Sequence, residues 1–262
     1  MHISIFELKC GIQIGSLKRV FLSVNWGLLV NFESEVIEII ERTHDVKSFR
    51  FSRPLDFNYK AGQFMFVTIP NNKKGELRKH FTISSSPTEK EFIEFTKKLS
   101  DSDYSKALRV LAVRDEVKLD APYGRFFLDE EVVNVAMLSG GIGITPLRSM
   151  CKYVTDMKLD KNIILLYGNN TIDDIAFMDE FESLQMQNKN LKVVHVLNKP
   201  PSDWKGYTGF IDAALIKKVV SDYKNRIFYT CGPPGMISAM KRLLQELNVP
   251  GIQIKTENFT GY

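Results

Sequence analysis

Gly140-Gly141-Ile142-Gly143-Ile144-Thr145-Pro146 follows an apolar run, Val132 to Ser139, and precedes Leu147 to Val154, a stretch able to form a helix. The run reads as a buried strand, so the order is strand, glycine turn, helix. A phosphate-binding loop needs that context. Glycines let the backbone approach a pyrophosphate, and the helix N-terminus offers unpaired N–H groups and the positive end of its dipole. Gly140, Gly141, Gly143 and Thr145 are the candidates to meet a pyrophosphate. The competing reading is a tight strand-to-helix turn with no ligand, and the loop alone does not separate the two.

A second motif lies upstream: Arg78-Lys79-His80-Phe81-Thr82-Ile83-Ser84-Ser85-Ser86-Pro87. It opens with a basic pair and reaches an aromatic and a hydroxyl residue within an alternating segment. Successive side chains of a strand point to opposite faces, so neighbours can reach different parts of one large ligand. A cation suits a phosphate, an aromatic ring suits a planar heterocycle, and a hydroxyl suits a ring nitrogen. The alternative is a half-exposed strand with its cations in water.

Around these motifs the chain falls into two halves. Ser34 to Thr43, Val46 to Ser52, Gln63 to Ile69, Lys79 to Ser84, Glu91 to Leu99 and Glu116 to Asp120 read as short strands, bounded by turn formers such as Arg53-Pro54 and Asn71-Asn72. One short helix, near Ser105 to Leu111, interrupts them. This pattern predicts an antiparallel six-stranded β-barrel. Farther on, strands at Val132–Leu138, Asn162–Tyr167, Leu191–Leu197 and Arg226–Thr230 alternate with helical stretches after Pro146, Ile175, Ile211 and Gly235. Such alternation predicts an α/β domain with a parallel sheet and right-handed crossovers. The expected fold class is thus two-domain, a barrel over residues 32–128 and an α/β domain over residues 129–262. Ligands meet where the domains face each other.

Taken in this order, the two motifs resemble the ferredoxin–NADP reductase superfamily, in which a flavin-binding barrel precedes a pyridine-nucleotide domain. Further landmarks sit in register: Phe95-Thr96-Lys97-Lys98-Leu99, Ser102-Asp103-Tyr104-Ser105, Ala121-Pro122-Tyr123-Gly124-Arg125-Phe126, Cys231-Gly232-Pro233-Pro234-Gly235-Met236 and the terminal Glu257-Asn258-Phe259-Thr260-Gly261-Tyr262. The resemblance covers about residues 34 to 262. It implies an oxidoreductase that moves hydride from NAD(P)H to flavin N5 and then passes electrons to an external acceptor such as ferredoxin, flavodoxin or an oxygenase component. It favours FAD over FMN.

The same resemblance implies residue roles. Phe81 lies against the flavin, and Thr82 hydrogen-bonds near N5. The family's usual Arg two before the aromatic is Lys79 here, which lacks the two-pronged fit of Arg to phosphate; Arg78 stands next to it as a substitute. His80, between them, reads equally well as an exposed strand residue. Thr96, Lys97 and Ser105 join the flavin set, the last two as phosphate contacts, with Ser105 alternatively a plain N-cap. Ser102 replaces the usual glycine of that turn. Cys231, at the end of a strand, lies near the nicotinamide with Gly232 and Pro233; otherwise it is a small buried hydrophobe. Glu257 positions the nicotinamide or relays protons, and Phe259 or Tyr262 shields the flavin. Thr82, Cys231 and Glu257 are the catalytic candidates. Asn169 and Asn170 stand where relatives often carry an Arg for the 2′-phosphate, which leans toward NADH.

Composition narrows the remaining classes. The chain has 262 residues, 44% of them hydrophobic, enough for two full cores. Its 35 basic and 31 acidic residues leave a net charge of +4, which allows attraction to a small acidic redox protein and does not argue for nucleic acid. Cys10, Cys151 and Cys231 are far apart, with no metal or iron–sulfur spacing. No metal site is expected, and so few cysteines suit a reducing cytoplasm.

Val20 to Val30 is apolar, but its 11 residues fall short of the ~20 that a membrane helix needs. No stable membrane insertion is expected, and no cleavage site follows Lys18-Arg19. Residues 1–31 read as a leader: a gene-start artefact, a disordered stretch or a short tail packed on the barrel. Three functions fit the whole: a stand-alone flavin reductase, an electron-transfer subunit of a larger redox complex, and a non-catalytic scaffold of the same fold. Phe81 and Thr82 speak against the last.

Overall fold

A computed structural model describes residues 29–71 and 75–259. Most of the N-terminal segment, with Cys10, and Asn72 and Tyr262 lie outside the described residues.

Six antiparallel strands, β1 (Val30–Glu41), β2 (Val46–Ser52), β3 (Phe64–Asn71), β4 (Gly75–Thr82), β5 (Phe92–Lys98) and β6 (Glu116–Tyr123), form one sheet in the order β4-β3-β6-β1-β2-β5. The sheet curls into a half-barrel with β4 and β5 at its two free edges. Strand β1 pairs from its first residue, Val30 opposite Ala121, so Val30 and Asn31 belong to the sheet. Alternation drives the curl: β1 buries every second residue from Phe32 to Val36, as a half-buried strand does. Phe49, Phe51 and Phe81 stack on Phe95, the Phe81 ring at 4.5 Å between centroids, and this aromatic column fills the interior. Helix α1 (Asp103–Val110) plugs one end, burying Tyr104, Ala107 and Leu108; the Tyr104 hydroxyl donates to the Val67 carbonyl at 2.9 Å.

The second sheet is parallel. Its strands are β7 (Asn134–Gly140), β8 (Asn162–Asn169), β9 (Leu191–Leu197), β10 (Tyr207–Thr208), β11 (Ile227–Gly232) and β12 (Ile254–Asn258), in the order β10-β9-β8-β7-β11-β12. Helices α2 (Thr145–Asp156) and α3 (Met178–Gln187) cover one face, burying Leu147, Met150, Val154 and Phe181. Helices α4 (Ala213–Val219) and α5 (Pro234–Glu246) cover the other with Leu215, Ile216, Met240 and Leu244. Sandwiched on both faces, β7 and β8 are near-continuous apolar runs. Sequence reasoning found every strand of this sheet except β10 and β12. Strand order reverses beside β7, the topological switch point at which such sheets take ligands.

The loop over residues 124–133 joins the domains, and the α2 side of the second core runs on into the barrel through Val46, Ala61 and Phe126. Gly62 (φ +101°) is required there: a Cβ would stand 2.2 Å from the Phe126 carbonyl oxygen and 2.4 Å from Met150.

Candidate functional site

Two of the cavities near this junction hold the expected site residues. The first, about 530 Å³, opens where β4 and β5 fail to close the half-barrel. Strand β4 places Lys79 and Phe81 on one face and Arg78, His80 and Thr82 on the other, and all five line the cavity. Lys97 enters from β5. Its ammonium lies 5.8 Å from the Phe81 ring centroid, and burial together with the nearby Lys79 charge lowers its pKa to about 8. Two cations beside an aromatic ring fit a ligand that carries both a phosphate and a planar heterocycle. Arg78 is otherwise engaged: it pairs with Asp120 at 2.7 Å, and its guanidinium lies 4.0 Å over the Phe66 ring.

The far wall of this cavity comes from the other domain. Strand β12 pairs with β11 so that Glu257 sits beside Cys231 and Asn258 beside Gly232. Glu257, Asn258 and Phe259 thereby reach the cavity. Burial pushes the Glu257 carboxyl up to about 7, and its Oε2 is buried without a hydrogen-bond partner.

The second cavity, about 490 Å³, lies at the carboxyl ends of β7, β8 and β9, lined by Ser139, Gly140, Gly141, Asn169 and Asn170 and capped by Phe210 and Met236. Lys98, the neighbour of Lys97 on β5, faces it from the barrel, paired with Asp45 at 2.8 Å. Gly141 has φ +50°, and a Cβ there would meet nothing within 4 Å, so the loop presents open backbone to the cleft. The buried Ser139 hydroxyl has no partner and is available to a ligand. Both volumes suit small-molecule sites.

Other expected residues stand behind these walls. Gly143 serves a close approach, since a Cβ would stand 2.3 Å from the Cys231 carbonyl oxygen. The fully buried Cys231 thiol donates to the Gly143 carbonyl at 2.8 Å; burial, then the Glu257 charge, raises its pKa well above the usual thiol value. Thr145 opens α2 and donates to the Ile142 carbonyl. Gly232 is buried and Pro233 is the exposed N-cap of α5. Thr96 faces away from the flavin-type cavity, bonded to Ser48 at 2.7 Å and Ser84 at 2.9 Å. Ser105 is buried at the start of α1, where its Oγ accepts from the Ser100 N–H; the N-cap is Ser102.

Sequence reasoning missed Asn258, Met236 and Phe210. Phe210 follows the Gly209 turn and is 77% exposed where it lines the second cavity. Among the described residues no cluster could hold a metal ion, and no helix is long and apolar enough to cross a membrane.

The chain matches the oxidoreductase FAD-binding domain over residues 33–128 and the oxidoreductase NAD-binding domain over residues 137–242. It is 30% identical over 218 residues to the glycine betaine monooxygenase reductase subunit of Chromohalobacter salexigens, covering 80% of this chain and 59% of that one. It is equally 30% identical over 218 residues to NADH-cytochrome b5 reductase 1 of Coccidioides immitis, covering 78% and 71%. Among solved structures, the CS-b5R domains of human Ncb5or in the NAD+ form superimpose with a TM-score of 0.75 at 25% identity, covering 87% of this chain and 69% of that one. The chain therefore belongs to the ferredoxin–NADP reductase superfamily, with an FAD-binding domain followed by an NAD-binding domain. It spans only about three-fifths of the length of the first of these relatives.

Proposed function

We propose that this protein is an FAD-dependent NADH reductase that delivers electrons to an external redox protein. The observation that supports it best is the mixed wall of the first cavity: Lys79, Phe81, Thr82 and Lys97 come from the FAD-binding domain, and Glu257, Asn258 and Phe259 from the NAD-binding domain. FAD held by these residues would supply the redox chemistry, linking a two-electron donor to a one-electron acceptor.

The chain's own residues bind and orient. Lys79 and Lys97 neutralise the flavin pyrophosphate, Phe81 packs against its ring, and Thr82 donates a hydrogen bond to it. Gly140 and Gly141 admit the dinucleotide phosphates, while Gly143, held by Cys231, keeps that loop against β11. Glu257, beside the buried Cys231 on the paired strand, receives the nicotinamide and holds or releases a proton near neutral pH. Tyr262 remains a candidate to shield the flavin beside Phe259.

NADH is preferred because the only cation lining the nucleotide cleft among the described residues, Lys98, is already paired with Asp45. Asn169 and Asn170 offer no charge to a 2′-phosphate. Glycine betaine monooxygenase reductase and NADH-cytochrome b5 reductase among the relatives support an oxygenase component or a small haem protein as acceptor. Few, dispersed cysteines support a cytoplasmic location. Anaerobic titration of the FAD-loaded protein with NADH and, separately, NADPH tests the reading. Bleaching by NADH at lower concentration is expected; a protein that takes up no FAD, or that neither nucleotide bleaches, would overturn it.

A further inference from the structure

A deeply buried cation at the domain junction is Arg148, 2% exposed, one turn into α2. All five of its guanidinium N–H groups have acceptors: Nε and Nη2 donate to Glu180, Nη1 and Nη2 to the two oxygens of Glu89, and Nη1 to the Ser84 carbonyl at 3.1 Å. Glu89 and Ser84 belong to the FAD-binding domain, Glu180 to the NAD-binding domain. Arg42, just past the end of β1, completes the figure from the barrel side by pairing with the other oxygen of Glu180 at 2.6 Å and with Glu94 at 3.2 Å. Phe177 is clasped between the two arginines, 4.6 Å from Arg42 and 5.6 Å from Arg148, with its backbone held at φ +64°. A left-handed non-glycine residue of this size persists only where its surroundings over-determine it.

Ordinary stability does not explain such a cluster, because well-packed apolar side chains commonly replace buried ion pairs at no cost. What a fully satisfied guanidinium supplies is direction, since its planar fork fits one arrangement of acceptors. The chain positions at which it acts are telling. Arg148 lies five residues beyond Gly143 of the dinucleotide loop, and Ser84 two beyond Thr82 of the flavin wall. The neighbouring Ser149 hydroxyl repeats the bond, donating to the Ser85 carbonyl. Ser84, Ser85 and Ser86 are fully buried, so a rotation of one domain on the other must break this contact before it can move either cofactor wall.

We propose that Arg148 is the positioning residue that sets the nicotinamide-binding half against the flavin-binding half, acting through the Ser84–Ser86 segment that continues from Thr82. The inference rests on the reading above that the two cofactors react across this junction. Burial opposes the charge of Arg148, but the bonds to Glu89 and the attraction of Glu89, Glu180 and Glu94 outweigh it and raise its pKa. The guanidinium therefore stays charged throughout the usable pH range.

The test uses Arg148→Met and the double variant Arg148→Met/Glu89→Gln, which strands no carboxylate if the single variant fails to fold. Spin labels at Leu55→Cys and Met186→Cys, exposed positions in different domains, in a Cys10→Ser background report the interdomain distance by pulsed electron resonance. Single-turnover mixing with NADH reports flavin reduction. The expected result is a broadened distance distribution and a reduction rate lower by up to about a hundredfold, the cost that a ~1 Å misplacement can reach. Affinities for FAD and NADH should stay within about twofold of the parent. An unchanged distribution, or an unchanged rate despite a broadened one, overturns the proposal. If the unsubstituted protein is not reduced by NADH at all, the functional reading fails instead, and the label distances still judge the interface.

Discussion

Glu257→Gln should make the protein more stable above neutral pH and leave it unchanged in acid. Burial lifts the Glu257 carboxyl from its ordinary 4.5 to about 7. The unfolded chain binds that proton less tightly than the folded one, so the folded state is favoured while the group is protonated. That advantage is complete below pH 4.5 and fades as pH climbs through about 7. At about 1.36 kcal/mol per pH unit, the interval amounts to ~3 kcal/mol of stability lost by pH 8.5. Glutamine keeps the shape and has no proton to lose, so it removes the penalty. The assay is thermal unfolding of the cofactor-free protein and its variant at pH 5.5 and 8.5. Each kcal/mol moves the melting temperature of a chain this size by about 2–4 °C, so a gain of several degrees is expected at pH 8.5 and almost none at pH 5.5. Equal differences at the two pH values would refute the reasoning. A carboxylate retained at such a cost fits a residue kept for its proton, and the same variant should lose the ionisation near pH 7 from the pH profile of flavin reduction.

Lys97→Met should weaken FAD binding by about tenfold to a hundredfold, the value of one charged hydrogen bond. In the parent, affinity should fall as pH rises through about 8, where the Lys97 cation is lost; flavin fluorescence titrations from pH 6.5 to 9.5 should show that fall vanish in the variant. Gly143→Ala would drive a methyl group against the Cys231 carbonyl oxygen, 2.3 Å away, with no flexible side chain to yield. Overpacking of this kind costs about 1–3 kcal/mol, read as a lower melting temperature with the dinucleotide loop opened to hydrogen exchange. Phe210→Ala should raise the KM for NADH several-fold at constant kcat, since an aromatic contact contributes about 0.5–1.5 kcal/mol and Phe210 lines only the nucleotide cleft.

The fold was legible because each domain announces itself in short-range pattern. Period-two alternation marks β1, and the two-face burial of β7 and β8 leaves apolar runs that no exposed strand would carry. The glycine loop after β7 identified the switch point for the same reason: its conformation is a local property of Gly140 to Gly143. Strands β10 and β12 escaped because neither has a local cause. β10 is two residues long, and Ile254 to Asn258 is largely polar, held in place by β11, a partner separated from it by the whole of α5.

The site was legible to the extent that it is built from consecutive residues. Arg78 to Thr82 sit on one strand and were found together. The proximity of Lys79 to Lys97 depends on how the two free edges of the half-barrel approach each other, and sequence does not state that distance. Thr96 shows the converse: next to Lys97 in sequence, it takes the opposite face of β5 by the alternation of the strand and enters the Ser48–Ser84–Glu94 polar cluster instead of the cavity. Arg148 carries the strongest case. In sequence it is one more residue of an amphipathic helix, indistinguishable from a solvated arginine. Only the docking of α2 on the Ser84–Glu89 segment gives it two carboxylates and a carbonyl, and only then does a helix residue become a measure of where one cofactor stands relative to the other.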